Sequence, residues 1–186
     1  MAHVLPDLLA PGLTTVFCGS AAGRVSALRR TPYSGPGNKF WPTLAATGMT
    51  PGQMDPQDYR GLLELGIGLT DLNKTQSGSD ASLSPAADDC AALKAKIERT
   101  RPAIVAFTAK RPAGAFLGAC FGTREIGYGR QPQTIGGTVL FVLPSPSGLA
   151  IRWWEPAWWH RLAALHHELC QDPAVSAASS AARPSR

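Results

Sequence analysis

The chain has 186 residues, enough for one α/β domain with a buried core. Its hydrophobic share of 44% and charged share of 17% are those of a soluble globular protein, and 18 basic against 13 acidic side chains, a formal +5, favour an anionic partner. No apolar run approaches the roughly 20 residues that span a bilayer, and residues 1–13 lack a basic stretch followed by an apolar segment, so neither a membrane association nor a secretion signal is expected and the expected location is the cytoplasm. Cys18, Cys90, Cys120 and Cys170 lie far apart without a C-x-x-C pair. That spacing argues against a zinc site, an iron–sulfur cluster or a disulfide framework and predicts free, mostly buried thiols.

In chain order, Leu13 to Cys18 (LTTVFC) is β-branched and apolar and predicts a buried strand. Gly19 to Gly23 (GSAAG) then turns the chain into a polar segment carrying Arg24, Arg29 and Arg30. Thr31 to Gly37 (TPYSGPG) is dense in turn formers and predicts an irregular loop. Asn38 is placed to cap a helix over Lys39 to Thr47. Asp55 to Leu65 carries apolar residues at helical spacing and stops at Gly66; Ile67 to Leu72 predicts a second strand. Asn73 to Leu83 is polar and predicts a mobile surface loop. A helix is expected from Ser84 to about Thr100, with Pro85 at its first position. Ala103 to Thr108 predicts a third strand, Ala113 to Phe121 a short helix, Thr138 to Leu143 a fourth strand, and Glu155 to Cys170 a final amphipathic helix. From Pro173 onward the composition predicts a disordered tail behind a single domain of residues 1–172.

Strands alternating with helices predict a three-layer α/β/α sandwich around a mainly parallel sheet of four strands. In such sheets sites form at the carboxyl ends of the strands. Three loops begin there, after Cys18, after Leu72 and after Leu143, and their convergence predicts one active site.

The Gly19 to Gly23 turn allows backbone amides to approach a ligand, but it is neither a P-loop nor a G-x-G-x-x-G turn. Its company in the chain makes it more specific. FCGSAAG (Phe17 to Gly23), TPYSGPGNKFWP (Thr31 to Pro42), GIGLTDL (Gly66 to Leu72) and LPSPSG (Leu143 to Gly148) occur in that order. Together they resemble the uracil-DNA glycosylase superfamily, and most closely its mismatch-specific uracil/thymine branch. That branch carries a G-x-N-P-G loop, an aromatic residue shortly before a P-x-N-[RK]-F-W segment, and a late [NS]-P-S-G loop.

The resemblance implies a role for several residues. Tyr33 falls where the family's aromatic ring stacks on a flipped base, an interaction worth roughly 1–3 kcal/mol. Packed against C5 of the base, it would favour uracil over thymine. Backbone amides around Ser20, Ala21 and Tyr33 would bind the base carbonyls, and Asn38 would belong to the pocket wall. Gly23, Arg24, Ser145, Ser147 and Gly148 would contact DNA, and Leu149 or Arg152 would fill the space left by the extruded nucleotide. Phe40 and Trp41 are expected in the core.

The sequence departs from the family where its chemistry is usually held. The asparagine that positions the attacking water is Ala21 here, its proline is Ala22, and the histidine of related H-P-S-P loops is Leu143. Three outcomes remain open: another polar group does the work, leaving-group stabilisation suffices, or the protein is inactive. Asp71, at the end of the second strand, is the first candidate for a replacement, with Asn38 and Asn73 behind it.

Arg24, Arg29, Arg30, Lys39, Arg124, Arg130 and Arg152 are expected near the loops on one side of the sheet, as phosphate contacts. The Trp153-Trp154 and Trp158-Trp159 pairs are expected to pack on the sheet. His160, His166 and His167 lack carboxylates at ligand spacing, so no metal site and no cofactor are expected. No lysine sits at a motif position suited to Schiff-base chemistry, which predicts a monofunctional hydrolase. The expected partner is DNA containing uracil or another deaminated base, met by a monomer. The competing expectations are a glycosylase for hypoxanthine or another deaminated base, a protein that binds a lesion or abasic site without cleaving it, and, more distantly, a small-nucleotide hydrolase.

Overall fold

Alternation along the strands divides the apolar residues between two faces. Phe17, Ile104, Ala106 and Phe141 enter one hydrophobic cluster, and Val16, Cys18, Val105, Phe107, Leu140 and Val142 enter another. The computed structural model describes residues 3–171, so the tail expected from Pro173 lies outside the described residues. Its strands are β1 (Thr15–Gly19), β2 (Ile67–Asp71), β3 (Ile104–Phe107), β4 (Gly129–Ile135) and β5 (Thr138–Val142), in the order β2-β1-β3-β5-β4. All pairings are parallel except that of β4 with β5.

The α/β/α class is therefore as expected, but the sheet has five strands rather than four. The additional strand reads GRQPQTI, and its buried positions are held by Gly129, Gln131 and Ile135. Apolar alternation is nearly absent there, which is why the strand escapes a sequence reading. Pro132 and the exposed Arg130 suit an edge, where an unpaired ladder must not recruit another chain.

The helices are α1 (Arg24–Arg29), α2 (Phe40–Ala46), α3 (Cys90–Thr100), α4 (Lys110–Phe121) and α5 (Ala157–Gln171). On one face α2, α5 and a 3-10 helix (Pro56–Leu65) bring Phe40, Trp41, Leu44, Leu62, Trp159 and Leu162 onto the sheet. On the other, α3 and α4 bring Leu93, Ile97, Phe116 and Leu117. Each fully buried side chain of this size contributes roughly 1.5–3 kcal/mol.

Three helix starts differ from expectation. α1 is only six residues long and has no side-chain cap at Gly23, so neither length nor capping announces it. α3 begins at Cys90 rather than Ser84. Asp89 accepts from Ala92 N at 2.8 Å and so sets the start, while Pro85–Ala87 forms a single 3-10 turn and Asp88 pairs with Arg111 at 3.1 Å. α4 begins at Lys110, with Pro112 inside its first turn.

The polar segment after β2 is not a free loop. Asn73 N and Gly78 N donate to Ser20 O (2.8 Å) and Ala22 O (2.9 Å), and Ser77 bridges Ala22 in parallel. The segment thus prolongs β2 alongside the turn after β1. On the outer edge of β2, residue Leu8 exchanges two 2.9 Å backbone hydrogen bonds with Leu69.

At the opposite end of the sheet, the ring of His166 anchors α5: Nδ1 meets Thr15 Oγ1 at 2.9 Å, and Nε2 meets Cys170 Sγ at 3.5 Å. Burial, reinforced by His167, lowers its pKa from 6.5 to about 4. The folded protein therefore resists a proton that the unfolded chain accepts. The stability associated with neutral His166 is complete above pH 6.5 and is lost as pH falls toward 4, to the extent of about 3 kcal/mol. Denaturant unfolding at pH 7 and pH 4.5 should show this loss in wild type and much less of it in His166→Gln.

Candidate active site

Parallel register places Asp71 directly beside Gly19, the last pair of β1 and β2. The glycine there leaves room for the aspartate side chain. A Cβ built on Gly19 would collide with Asp71 Oδ1 and would lie 3.4 Å from Tyr33 Oη. The Asp71 carboxyl and the Tyr33 hydroxyl thus converge over one glycine at the carboxyl edge of the sheet.

Tyr33 is held in the left-handed region, φ 53°, which is unusual for a side chain of this size. Its ring stacks on Phe40 with centroids 3.9 Å apart and planes 12° from parallel. Phe40 is fully buried, so it forms a fixed backing for the tyrosine. Trp41 Nε1 donates to Pro32 O at 3.2 Å, and Ser34 N donates to Ser26 Oγ at 3.1 Å, so the turn-rich loop is tied on either side of Tyr33. Asn38 Oδ1 accepts from Phe40 N at 2.9 Å, fixing the entry to α2. Phe40 and Trp41 belong to the core, as their residue types suggest.

The Ser145–Gly148 loop is joined to this one. Lys39 N donates to Pro146 O at 2.8 Å, and a Cβ on Gly148 would lie 2.8 Å from Pro36 O. Trp159, buried in the core, donates from Nε1 to Pro144 O at 3.1 Å. Ser145 Oγ accepts from Ser147 N, and Ser147 Oγ accepts from Leu149 N, both at 3.3 Å. Beyond the loop Leu149 stands 86% exposed.

These loops enclose a cavity of about 820 Å³. Ser20, Ala21, Gly23, Arg24, Tyr33, Asn38, Asp71, Ser145, Ser147, Gly148 and Leu149 all line it, so four distant motifs meet in one place. Arg152 is exposed just beyond the rim. Leu143 is fully buried in the core and does not line the cavity.

Asn73, ranked behind Asp71, is excluded as a reactive group. It is 1% exposed; Oδ1 accepts from Thr75 N and Gln76 N, and Nδ2 donates to Gln76 Oε1, so it folds its own loop. Arg124 lies between α4 and β4 and does not line the cavity. The Trp pairs divide: Trp159 is core, Trp158 packs against Gly129, and Trp153 is 69% exposed. Residues the sequence did not single out also line the cavity: Thr108 and Ala109 beyond β3, Leu5 and Pro6 of the amino-terminal segment, and Gly78 to Ala81.

The family model described as the uracil DNA glycosylase superfamily matches residues 6–167, which include all four motif loops of the cavity. The chain belongs to the uracil DNA glycosylase superfamily. A solution NMR structure of a candidate uracil DNA glycosylase from Methanosarcina acetivorans is similar in fold, with a TM-score of 0.60 at 20% identity, covering 88% of this chain and 96% of that one. Membership makes the chain a DNA glycosylase in fold and class and implies that it binds DNA.

Within this glycosylase the cavity carboxylate has an unusual electrostatic setting. Burial pushes Asp71 up to about 6, opposed by Lys74 and Lys96 and reinforced by Asp7. Asp7 is the centre of a compact network: Lys74 Nζ lies 2.8 Å from its Oδ1, Lys96 Nζ 2.7 Å from its Oδ2, and Thr70 Oγ1 donates to it at 2.8 Å. Burial works against the Asp7 charge, but these partners outweigh it and hold the carboxyl below its usual range. Two ammonium groups share one carboxylate, leaving a positive balance next to Asp71. Cys18, buried below the site, is pushed up by burial and by Asp71, so it stays a thiol.

Proposed function

We propose that this glycosylase removes uracil from DNA by metal-independent hydrolysis, with Asp71 in the role that Ala21 does not fill. The observation that supports this most is a carboxylate at the junction of the motif loops whose pKa, about 6, is close to working pH. A general base is most effective when its pKa lies near the operating pH, so that it is ionised yet still binds a proton. In the reaction the flipped base rests against Tyr33, and backbone amides around Ser20 and Tyr33 bind its carbonyl oxygens. The glycosidic bond breaks toward an oxocarbenium-like sugar, the electron pair leaves with the base, and the amides stabilise that charge. Asp71 stabilises the cationic sugar and takes the proton of the attacking water. Ala21 contributes only a methyl group to the wall, and Asn38, with Oδ1 already engaged, contributes its amide.

Phosphate contacts fall to Arg24 and Arg152, and the chain acts as a monomer. Leu149 enters the space of the extruded nucleotide. Its truncation, Leu149→Ala, should lower excision from duplex DNA about 10-fold, as expected for one lost apolar contact. Excision from single strands, where no stack has to be filled, should change little.

The deciding experiment is excision of uracil from labelled oligonucleotides, single-stranded and opposite guanine or adenine, in EDTA. Alkali-revealed cleavage is the expected result. No cleavage of uracil, with cleavage of a hypoxanthine substrate, would reassign the base. Tight, salt-sensitive binding without any cleavage would replace catalysis by lesion binding.

A further inference from the structure

We propose that the Tyr33 hydroxyl, together with Asp71, holds the attacking water, so that Tyr33 acts in hydrolysis as well as stacking against the base. The inference rests on the reading that this cavity hydrolyses a base–sugar bond, and it adds a second side chain to Asp71 in holding the water.

Tyr33 Oη is completely buried and makes no well-formed hydrogen bond among the described residues; the Thr108 hydroxyl is the one side chain within reach of a weak one. A buried hydroxyl left so is costly, and native proteins keep such atoms where a ligand or an ordered water meets them. The hydroxyl is also aimed. The left-handed backbone at Tyr33 and the parallel stack on Phe40 fix the ring, and its oxygen ends over Gly19 beside Asp71 Oδ1. Thr108, just beyond β3, shares its hydroxyl between this oxygen and Cys18 O, 3.5 Å away, and so leaves Tyr33 Oη room for a further partner. Ala21, on the same wall, brings no polar atom.

The phenol does not serve as the base. Burial and the neighbouring Asp71 charge raise its pKa far above the ordinary value, so it stays protonated at working pH. The charged and titratable groups around the pair are Asp71, Cys18, Lys74, Asp7 and Lys96, and Asp71 is the one that titrates near neutrality. The water directs one O–H to the Asp71 carboxylate and the other to the Tyr33 oxygen. Its free lone pair then faces C1′ of the sugar. The C1′–O bond forms as the C1′–N bond breaks, the bonding pair leaves on the base, and the water proton passes to Asp71. The base anion takes its proton from solvent.

Tyr33→Phe keeps the ring and removes the oxygen. Its single-turnover excision rate should fall about 10-fold, the scale expected when a reactant is held less well, with Kd for uracil DNA unchanged. Its melting temperature should change little, because the ring and its stack on Phe40 are kept. In an Asp71→Asn background the same substitution should cost little more, since the water is already lost. Weakened DNA binding, or a full additional loss in that background, would overturn the proposal. A high-resolution crystal structure of the free protein tests it without reference to uracil. A water within hydrogen-bond reach, about 2.7–3.0 Å, of both Tyr33 Oη and Asp71 Oδ1 is expected, and a site dry between these two atoms would refute the shared water even if uracil is excised.

Discussion

Asp71→Asn is expected to lower uracil excision by about 10²- to 10⁴-fold, the usual contribution of a general base, while making the protein more stable. The two effects share one cause. The folded carboxyl titrates near 6 and an unfolded aspartate near 3.8, so between these values the folded protein keeps a proton that the unfolded chain releases. Stability from this group is fullest below pH 3.8 and declines as pH rises through 6. At pH 7 the ionised and desolvated carboxylate costs on the order of 2 to 3 kcal/mol, which asparagine avoids. Excision, by contrast, needs the ionised form and should rise with pH up to about 6 before levelling. Guanidinium unfolding and single-turnover excision, measured on the same preparations, separate the two quantities. Near-wild-type excision by both Asp71→Asn and Asp71→Ala would remove Asp71 from the mechanism. Lost excision with reduced stability would mean that the carboxylate is held by favourable contacts rather than strained by burial.

Gly19→Ala should nearly match that loss without touching a polar atom. Its new methyl group would occupy the place of Asp71 Oδ1 and come into van der Waals contact with the Tyr33 hydroxyl. The strand resists displacement, because β1 is held between β2 and β3 up to Cys18, and Gly19 O accepts from Leu72 N at 2.9 Å. The carboxylate must therefore swing away, and a displacement of about 1 Å can cost on the order of 100-fold in rate. Stability should fall as well, by about 1–3 kcal/mol, as for other overpacked sites. Shortening the neighbour should relieve the clash: Gly19→Ala with Asp71→Ala should be more stable than Gly19→Ala alone, yet no less active than Asp71→Ala alone. Full activity in Gly19→Ala would show that the contact over this glycine is not part of the working site.

Much of the layered fold was legible because apolar patterns are local. LTTVFC, AIVAFT and TVLFVL each announce a buried strand, and each contains one: β1, β3 and β5. GRQPQTI announces nothing, since an edge strand protected by arginine and proline does not need an apolar face. The same limit affected the helix starts, where Asp89 rather than Ser84 provides the cap. The segment from Asn73 looked like free loop because its polar composition resembles that of one. Its hydrogen bonds go to the backbone of Ser20 and Ala22, more than 50 residues earlier, and no local pattern records them.

The sequence by itself carried the alternation of strands and helices, the motif loops at the strand ends, an alanine at position 21 where the resemblance expects asparagine, and a carboxylate, Asp71, at the end of the second strand. Only the tertiary structure decided how that carboxylate is set. Register placed it beside Gly19, the amino-terminal segment brought Asp7 to Thr70, 63 residues away, with Lys74 and Lys96, and the turn at Tyr33 aimed a hydroxyl at the same spot. The reason is that burial and charge sum over neighbours in space. A residue's type fixes what it can ionise, but its pKa and its partners depend on chain segments that meet only after folding.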